Sequence, residues 1–221
     1  MKIFKSETEK LLSIIYPERC IACGCYLSES NRSPDFLLAH YFCSSCALTV
    51  NWSEERSDCA IPLYYGGAIR DAMLRLKFKS DVSPVSFFAE ALEREIRCRF
   101  YNVKFDTFTC VPSTKESVAE RGYNQSQLIA SKVRIDAECD WNLLKKDKAT
   151  SVQHLLSATE RKKNIESAYS LSSGRDVYGK KILLVDDILT TGSTCEACAR
   201  ALLLSGASDV YVACVAKRKW L

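Results

Sequence analysis

The 221-residue sequence predicts an α/β fold: an open parallel sheet preceded by a small N-terminal cysteine module. Three observations carry that expectation. Residues 182–185, Ile-Leu-Leu-Val, form an unbroken apolar run, the pattern of a strand covered on both faces. The run ends on Asp186-Asp187, a turn of small residues and a helical stretch over 195–204 closed by Gly206. Residues 105–111 and 209–215 are further apolar strands, so the C-terminal half alternates strand and helix as an open α/β sheet does. Near the start, Cys20-Ile-Ala-Cys23 and Cys43-Ser-Ser-Cys46 are two C-x-x-C pairs separated by nineteen residues.

The elements follow in order. Residues 5–15 carry Leu11, Leu12, Ile14 and Ile15 on one mainly apolar face and stop at Pro17, which predicts a short amphipathic helix. The cysteine pairs have the spacing of a four-cysteine zinc site, in which each tight turn supplies two thiolates to half of a tetrahedron. The expected ligands are Cys20, Cys23, Cys43 and Cys46, with Cys25 and His40 close enough in sequence to replace one of them. Cys59, Cys98, Cys110, Cys139, Cys195, Cys198 and Cys214 stand among apolar neighbours and read as small core residues. Residues 51–58 are a polar linker, which divides the chain into a zinc-knuckle module over 1–58 and an α/β domain over 59–221. In that domain a strand is expected at 61–65, a Gly66-Gly67 turn, and helices at 68–77 and 85–97. A strand at 105–111 is broken by Pro112, a helix follows at 124–133 and a short strand at 141–144. Residues 145–159 are basic and without periodicity, the pattern of a loop.

Composition sets bounds. With 47% hydrophobic residues the chain can pack a core, and a net charge of +4 is too mild to argue for nucleic acid by itself. No apolar run approaches the ~20 residues of a membrane span, and residues 1–17 are too charged for a secretion signal, so a cytoplasmic location is expected. In a reducing compartment twelve cysteines point to metal ligation or buried thiols rather than disulfides.

The strand end at 186 has the makings of an anion site. Backbone amides of the turn Thr190-Thr191-Gly192-Ser193-Thr194 and of the following helix start suit a phosphate, hydroxyls add donors, and Gly192 permits close approach. Asp186 and Asp187 cannot serve that phosphate. Carboxylates suit a sugar diol or Mg²⁺, so a phosphorylated sugar satisfies both halves. A second strand-to-helix segment, Val111-Pro112-Ser113-Thr114-Lys115 leading to Arg121-Gly122-Tyr123-Asn124-Gln125, can face the same cleft, because ligands in open α/β sheets sit beyond the carboxyl ends of the strands. Lys115 and Arg121 there suit a second anion such as pyrophosphate. Neither G-x-x-x-x-G-K-[ST] nor G-x-G-x-x-G occurs in the chain.

VDDILTTGST resembles the ribose-phosphate loop of type I phosphoribosyltransferases, which bind phosphoribosyl pyrophosphate (PRPP) with Mg²⁺. VPS-x7-RGYNQ-x2-LIA is similar to the pyrophosphate loop of the ComF/GntX branch of that fold. Thr150 to Ala158 with Arg161, Asn164 and Ala168-Tyr169 resembles its flexible-loop signature, and Tyr65, Arg70 and Leu76 to Lys79 its Y-x4-R-x6-K-F motif. The resemblance implies a type I phosphoribosyltransferase-like sheet with a PRPP site at Ser113, Lys115, Arg121, Asp186, Asp187, Thr190, Thr191, Gly192, Ser193 and Thr194. Lys115, Arg121, Lys148, Gln153 and Arg161 are candidates for acting on the leaving pyrophosphate. The chain departs from the branch where an arginine usually precedes the loop Thr: Lys145, Lys146 and Lys148 stand there, keeping the charge without bidentate recognition. His154 reads as a solvated or ligand-edge loop residue.

Function is narrowed to three classes. The ComF resemblance implies a cytoplasmic protein that handles incoming single-stranded DNA in natural transformation beside a competence helicase or DNA-processing protein. The phosphoribosyl site taken alone fits a phosphoribosyltransferase of nucleobase salvage, or a PRPP sensor without catalysis. No segment names an acceptor base. Basic clusters at 70–79, 145–148 and 161–163 with Tyr64, Tyr65 and Phe78 offer phosphate and stacking contacts, although solvated helix faces look the same in sequence.

Overall fold

The computed structural model of the protein describes residues 17–54, 58–146 and 168–219. The expected helix at 5–15, the loop residues Lys148, Gln153, His154 and Arg161 and the basic cluster 161–163 lie outside them. The chain gathers into two compact units. One takes the described residues up to Asn51 together with Gly66–Pro84; the other takes Trp52–Tyr65 and the described residues from Val85 onward.

The second unit holds a five-stranded sheet. Its strands are β1 (Leu63–Tyr64), β2 (Thr107–Cys110), β3 (Glu138–Cys139), β6 (Lys181–Leu189) and β7 (Asp209–Lys217), in the order β1-β7-β6-β2-β3. Every neighbouring pair is parallel. Ile182 to Val185 are all 0% exposed, which explains the absence of polar alternation: β6 is flanked by β2 and β7 and covered on both faces. Along it, Thr107 to Cys110 pair with Ile182 to Val185 on one side, and Lys181 to Leu189 run beside Asp209 to Lys217 on the other. Helix α3 (Val85–Arg99) packs on β7 and buries Phe87, Phe88, Leu92 and Ile96. At the N-terminal ends of the strands Phe100, Phe105 and Tyr211 meet edge to face, with centroids 5.2 to 5.9 Å apart.

Several elements differ from the sequence reading. Residues 141–144 do not form a strand of their own: Asp140 Oδ1 accepts the Asn142 amide at 3.0 Å and turns the chain, and Trp141 packs edge-on against Phe108. The strand starts at Leu144 instead. Lys145 and Lys146, expected in a loop, pair with Ser170 and Tyr169 in the antiparallel ribbon β4 (Leu144–Lys146) and β5 (Tyr169–Leu171), which packs on helix α6 (Ser193–Leu204). The edge strand β3 escaped notice because Glu138 and Cys139 are both exposed and show no apolar pattern. Helix α4 (Lys115–Arg121) was also unread, since none of its residues is buried; Thr114 caps its start by accepting the Ser117 amide, and Gly122 at φ +85° ends it.

The first unit contains the cysteine pairs, the short helix α1 (Ser44–Ala47) and helix α2 (Gly67–Phe78), whose Ile69, Met73 and Leu76 are 0% exposed. The isolated bridge Arg19↔Tyr26 closes the first knuckle segment, and Arg32↔Cys43 ties the residues after it to the second. The Thr49 hydroxyl accepts the Ala68 amide at 2.9 Å and ties α2 to this segment.

Candidate functional site

At the carboxyl end of β6 the chain keeps its pairing with β7 through Leu189, then turns at Thr190 and Thr191 into α6. Gly192 stands at the helix N-cap with φ +81°, a left-handed conformation that costs other residues about 1–2 kcal/mol. Its carbonyl accepts the Glu196 amide at 2.9 Å, and the Thr191 and Ser193 hydroxyls lie 2.9 Å apart. The turn thus gathers hydroxyls and the first amides of a twelve-residue helix around one point, with Thr190 and Thr191 exposed and Gly192, Ser193 and Thr194 half-buried.

The two acids preceding the turn differ in their surroundings. Successive strand side chains point to opposite faces, so Asp186 shares a face with Ile182 and Leu184, which pack with Cys195, Cys198 and Leu202 of α6. Its Oδ1 accepts the Ser126 hydroxyl at 2.9 Å and the Asp187 amide at 2.9 Å, while the Cys195 thiol approaches Oδ2 at 3.6 Å. Asp187 Oδ1 accepts the Ile188 amide at 2.6 Å.

The second strand-to-helix segment lies beside this one. Val111 donates its amide to Val185 O at 2.9 Å, carrying the strand pairing past β2. Asn124 caps helix α5 (Gln125–Ala130) and donates Nδ2 to Val111 O at 2.9 Å. Arg121 reaches Gln125 Oε1 at 3.2 Å. Lys115 is exposed at the start of α4, and Ser113 and Arg121 are half-buried. Ser126 as a partner of Asp186 and Tyr169 as a neighbour of the turn are not evident from sequence. Burial pushes the Tyr169 phenol up to about 12, with the Cys198 and Asp186 charges adding, against a hydrogen bond with Thr194. A Ser following a motif Asn-Gln carries no spacing signal towards an acid sixty residues away.

Burial likewise pushes the Cys110 thiol up to about 12, with Asp186 adding to it, and raises Cys198. Cys195 and Cys214 stand 3.9 Å apart between α6 and β7. These four are core residues as expected, and Cys59 is half-buried; Cys98 and Cys139 are exposed instead, because one lies on the outward side of α3 and the other on the edge strand.

In the first unit the structure brings the four sulfurs of Cys20, Cys23, Cys43 and Cys46 within 4.8 Å of one another. Cys23 and Cys43 are 3.9 Å apart, near the ~3.8 Å edge of a tetrahedron with 2.3 Å metal–sulfur bonds. Among the described residues no other group of His, Cys, Asp or Glu meets the same test. Four soft thiolate donors in this arrangement fit zinc. Burial pushes the Cys23 thiol up, but hydrogen bonds from the Cys25 backbone and from the Cys25, Cys20 and Cys46 side chains outweigh it, and the thiol falls to about 7. Cys25 and His40 are outside the group; the His40 ring packs edge-on against Phe36.

The knuckle turn itself depends on Gly24. It follows Cys23 with φ +80°, donates its amide to Cys20 O, and a Cβ there would stand 2.7 Å from Arg75 Nη1. Arg75 is held by Asp81 at 2.6 Å. Gly24→Ala is expected to destabilise the unit by about 1–2 kcal/mol and to lower the chelator concentration at which it loses metal. An unchanged midpoint would refute this.

The basic stretch at 70–79 is partly neutralised within its own unit, since Arg75 pairs with Asp81 and Arg70 lies 3.9 Å from Asp71. Phe78 is 67% exposed. In the other unit Lys217 and Lys219 place their ammonium groups 5.5 and 5.6 Å from the Tyr64 ring. Among the described residues no helix is long and apolar enough to cross a membrane.

Comparison with known proteins places this geometry. Residues 117–219 match the family described as the phosphoribosyl transferase domain. With the five-stranded parallel sheet, this defines a type I phosphoribosyltransferase-like fold. The chain is 36% identical over 114 residues to the DNA utilization protein YhgH of Escherichia coli K12, covering 51% of this chain and 49% of the relative. It is 29% identical over 170 residues to the competence protein ComFC of Streptococcus pneumoniae R6, covering 76% and 71%. These relatives and the domain match support a ComF-like protein of phosphoribosyltransferase type. The chain spans about half the length of the DNA utilization relatives it matches. It is also similar, at a TM-score of 0.39 and 21% identity over 59% of this chain and 26% of that one, to the glutamine PRPP amidotransferase from B. subtilis; at that score the likeness decides nothing about the site.

Proposed function

We propose that the protein binds PRPP with Mg²⁺ in the cleft beyond β2 and β6, and that it serves the handling of internalised single-stranded DNA during natural transformation, in the cytoplasm and beside a helicase or DNA-processing protein. The observation that carries the ligand is the union of two half-sites in one unit: the acid pair with its Gly192 turn, and the segment bearing Lys115 and Arg121, joined by the 2.9 Å bond from Ser126 to Asp186. The pathway is supported by the names of the relatives, a DNA utilization protein and a competence protein.

In this reading the 5-phosphate lies on the amides and hydroxyls of residues 190–194, where a helix start favours an anion. The ribose hydroxyls face the acids, and Ser113, Lys115 and Arg121 hold the diphosphate. Carboxylates are hard oxygen donors that fit Mg²⁺, which supplies charge neutralisation of the diphosphate when bound. Zinc at Cys20, Cys23, Cys43 and Cys46 is structural, since four thiolates leave no open position for a reacting group. Departure of pyrophosphate, should an acceptor be present, is served by Lys115 and Arg121, with Lys148, Gln153 and Arg161 outside the described residues.

Transformation frequency in a strain carrying Asp186→Asn with Asp187→Asn, at normal protein level, tests pathway and site together. A fall of tenfold or more is expected, on the order of the loss of one strong binding interaction; wild-type frequency would sink the reading. The purified protein is expected to bind single-stranded DNA with an affinity that falls steeply with salt, and no binding at low salt would count against the DNA reading.

A further inference from the structure

Three consecutive side chains at the start of α5 reach three parts of the cleft. Asn124 fixes the helix to the end of β2 through Val111 O, 2.9 Å away. Gln125 takes Arg121 Nη1 on Oε1 at 3.2 Å, and Ser126 gives its hydroxyl to Asp186 Oδ1 at 2.9 Å. Gln125 is 3% exposed and Ser126 5%, while Arg121 and Asp186 are half-buried, so each bond joins a buried end to one that faces the cleft. Gln125 Nε2 is buried without a hydrogen-bond partner, a penalty that an apolar side chain would avoid. The glutamine is therefore not there for packing. Its acceptor end holds an arginine at the anion end of the cleft. One residue further on, Ser126 holds an acid at the sugar end. The two residues are consecutive at the start of one helix, which is anchored by Ile129 and Ala130, both 0% exposed, and packed on β2 and β6.

We propose that Gln125 and Ser126 are positioning residues that couple the anion end of the cleft at Arg121 to the sugar end at Asp186. This rests on the phosphoribosyl reading and deepens it. A group drawn onto Arg121 sets Gln125, and through the backbone the two residues share at the helix start sets Ser126 and the carboxylate it holds. By linkage the effect is reciprocal: a sugar phosphate fixing Asp186 prepares Arg121 for pyrophosphate. Such coupling lets the two ends of one ligand bind better together than either does alone.

The test uses the full chain with Mg²⁺ and two probes, inorganic pyrophosphate and ribose 5-phosphate, titrated calorimetrically alone and each in the presence of the other. In the wild type each is expected to tighten the other by a factor of about five or more. Ser126→Ala is expected to bring that factor close to one, and Ser126→Thr, which keeps the hydroxyl, to retain it. Gln125→Met, of similar volume, removes the other link and is expected to lower the factor as well, which keeps the test open if Ser126→Ala does not fold. A purely structural role would lower thermal stability and leave the coupling of the folded protein intact. Coupling unchanged in Ser126→Ala and Gln125→Met, or lost equally in Ser126→Thr, overturns the proposal. So does a wild type that binds both probes without mutual effect, and that outcome leaves the phosphoribosyl reading standing. A wild type that binds neither probe nor PRPP removes the reading and the coupling with it.

Discussion

Stripping the metal from the four-cysteine cluster is expected to unfold the unit that carries it. The described part of residues 17–51 has little regular structure of its own: a four-residue helix, isolated bridges and turns. Its buried apolar residues are few: Ile21, Ala22, Leu38 and Phe42, with Cys20 and Cys43 themselves buried. A segment of that size does not bury enough apolar surface to offset the entropy of ordering its loops. Metal–thiolate bonds would make up the difference; in small zinc-binding peptides they are worth about 10–16 kcal/mol of apparent binding energy at neutral pH. Removing the cation also leaves four thiols within 4.8 Å, whose ionised forms repel one another. Far-ultraviolet circular dichroism during chelator titration, with zinc release followed in parallel, is expected to show loss of structure in step with loss of metal, and Cys23→Ser to show the same without chelator. Protein purified without chelator that holds no zinc and melts unchanged would end the claim.

The second large effect concerns the acids. At PRPP concentrations a hundredfold above Kd, ligand binding stabilises a protein by about 2.7 kcal/mol. For a chain of this size that is a rise in Tm of about 5–11 °C. Asp186→Asn with Asp187→Asn removes both charges while keeping the shape of each side chain, and the amide oxygen at 186 can still accept from Ser126. The double variant is therefore expected to fold and to show no Mg²⁺-PRPP-induced rise. An undiminished rise in thermal scanning would show that the sugar phosphate binds elsewhere.

What the sequence disclosed, it disclosed through local chemistry. Ile182 to Val185 announced a doubly covered strand because burial on both faces leaves no alternation, and the two C-x-x-C pairs announced a cluster because tight turns hold cysteines together. Gly192 was legible as a point of close backbone approach, while its left-handed φ of +81° belongs to the structure. Other features were visible but unread: Thr114 and Gly122 are ordinary helix boundaries, yet a helix with no buried residue shows no apolar period. The strand at Glu138–Cys139 is exposed and polar, and the turn at Asp140 depends on one side-chain hydrogen bond. The bond between Ser126 and Asp186 was beyond reach, since it joins residues sixty positions apart that meet only when β2 and β6 lie side by side.

The interleaving of the two units has a further consequence. The chain passes from one to the other after Asn51, after Tyr65 and after Pro84, so no single cut in the gene separates them. A single exchange that moved the whole cysteine-bearing unit would carry Trp52–Tyr65 of the other unit with it. An exchange that ended before Gly66 would bring in the knuckles and leave behind α2, the helix whose Arg75 stands against Gly24. The cysteine-bearing unit is in that sense woven into the chain rather than appended to it.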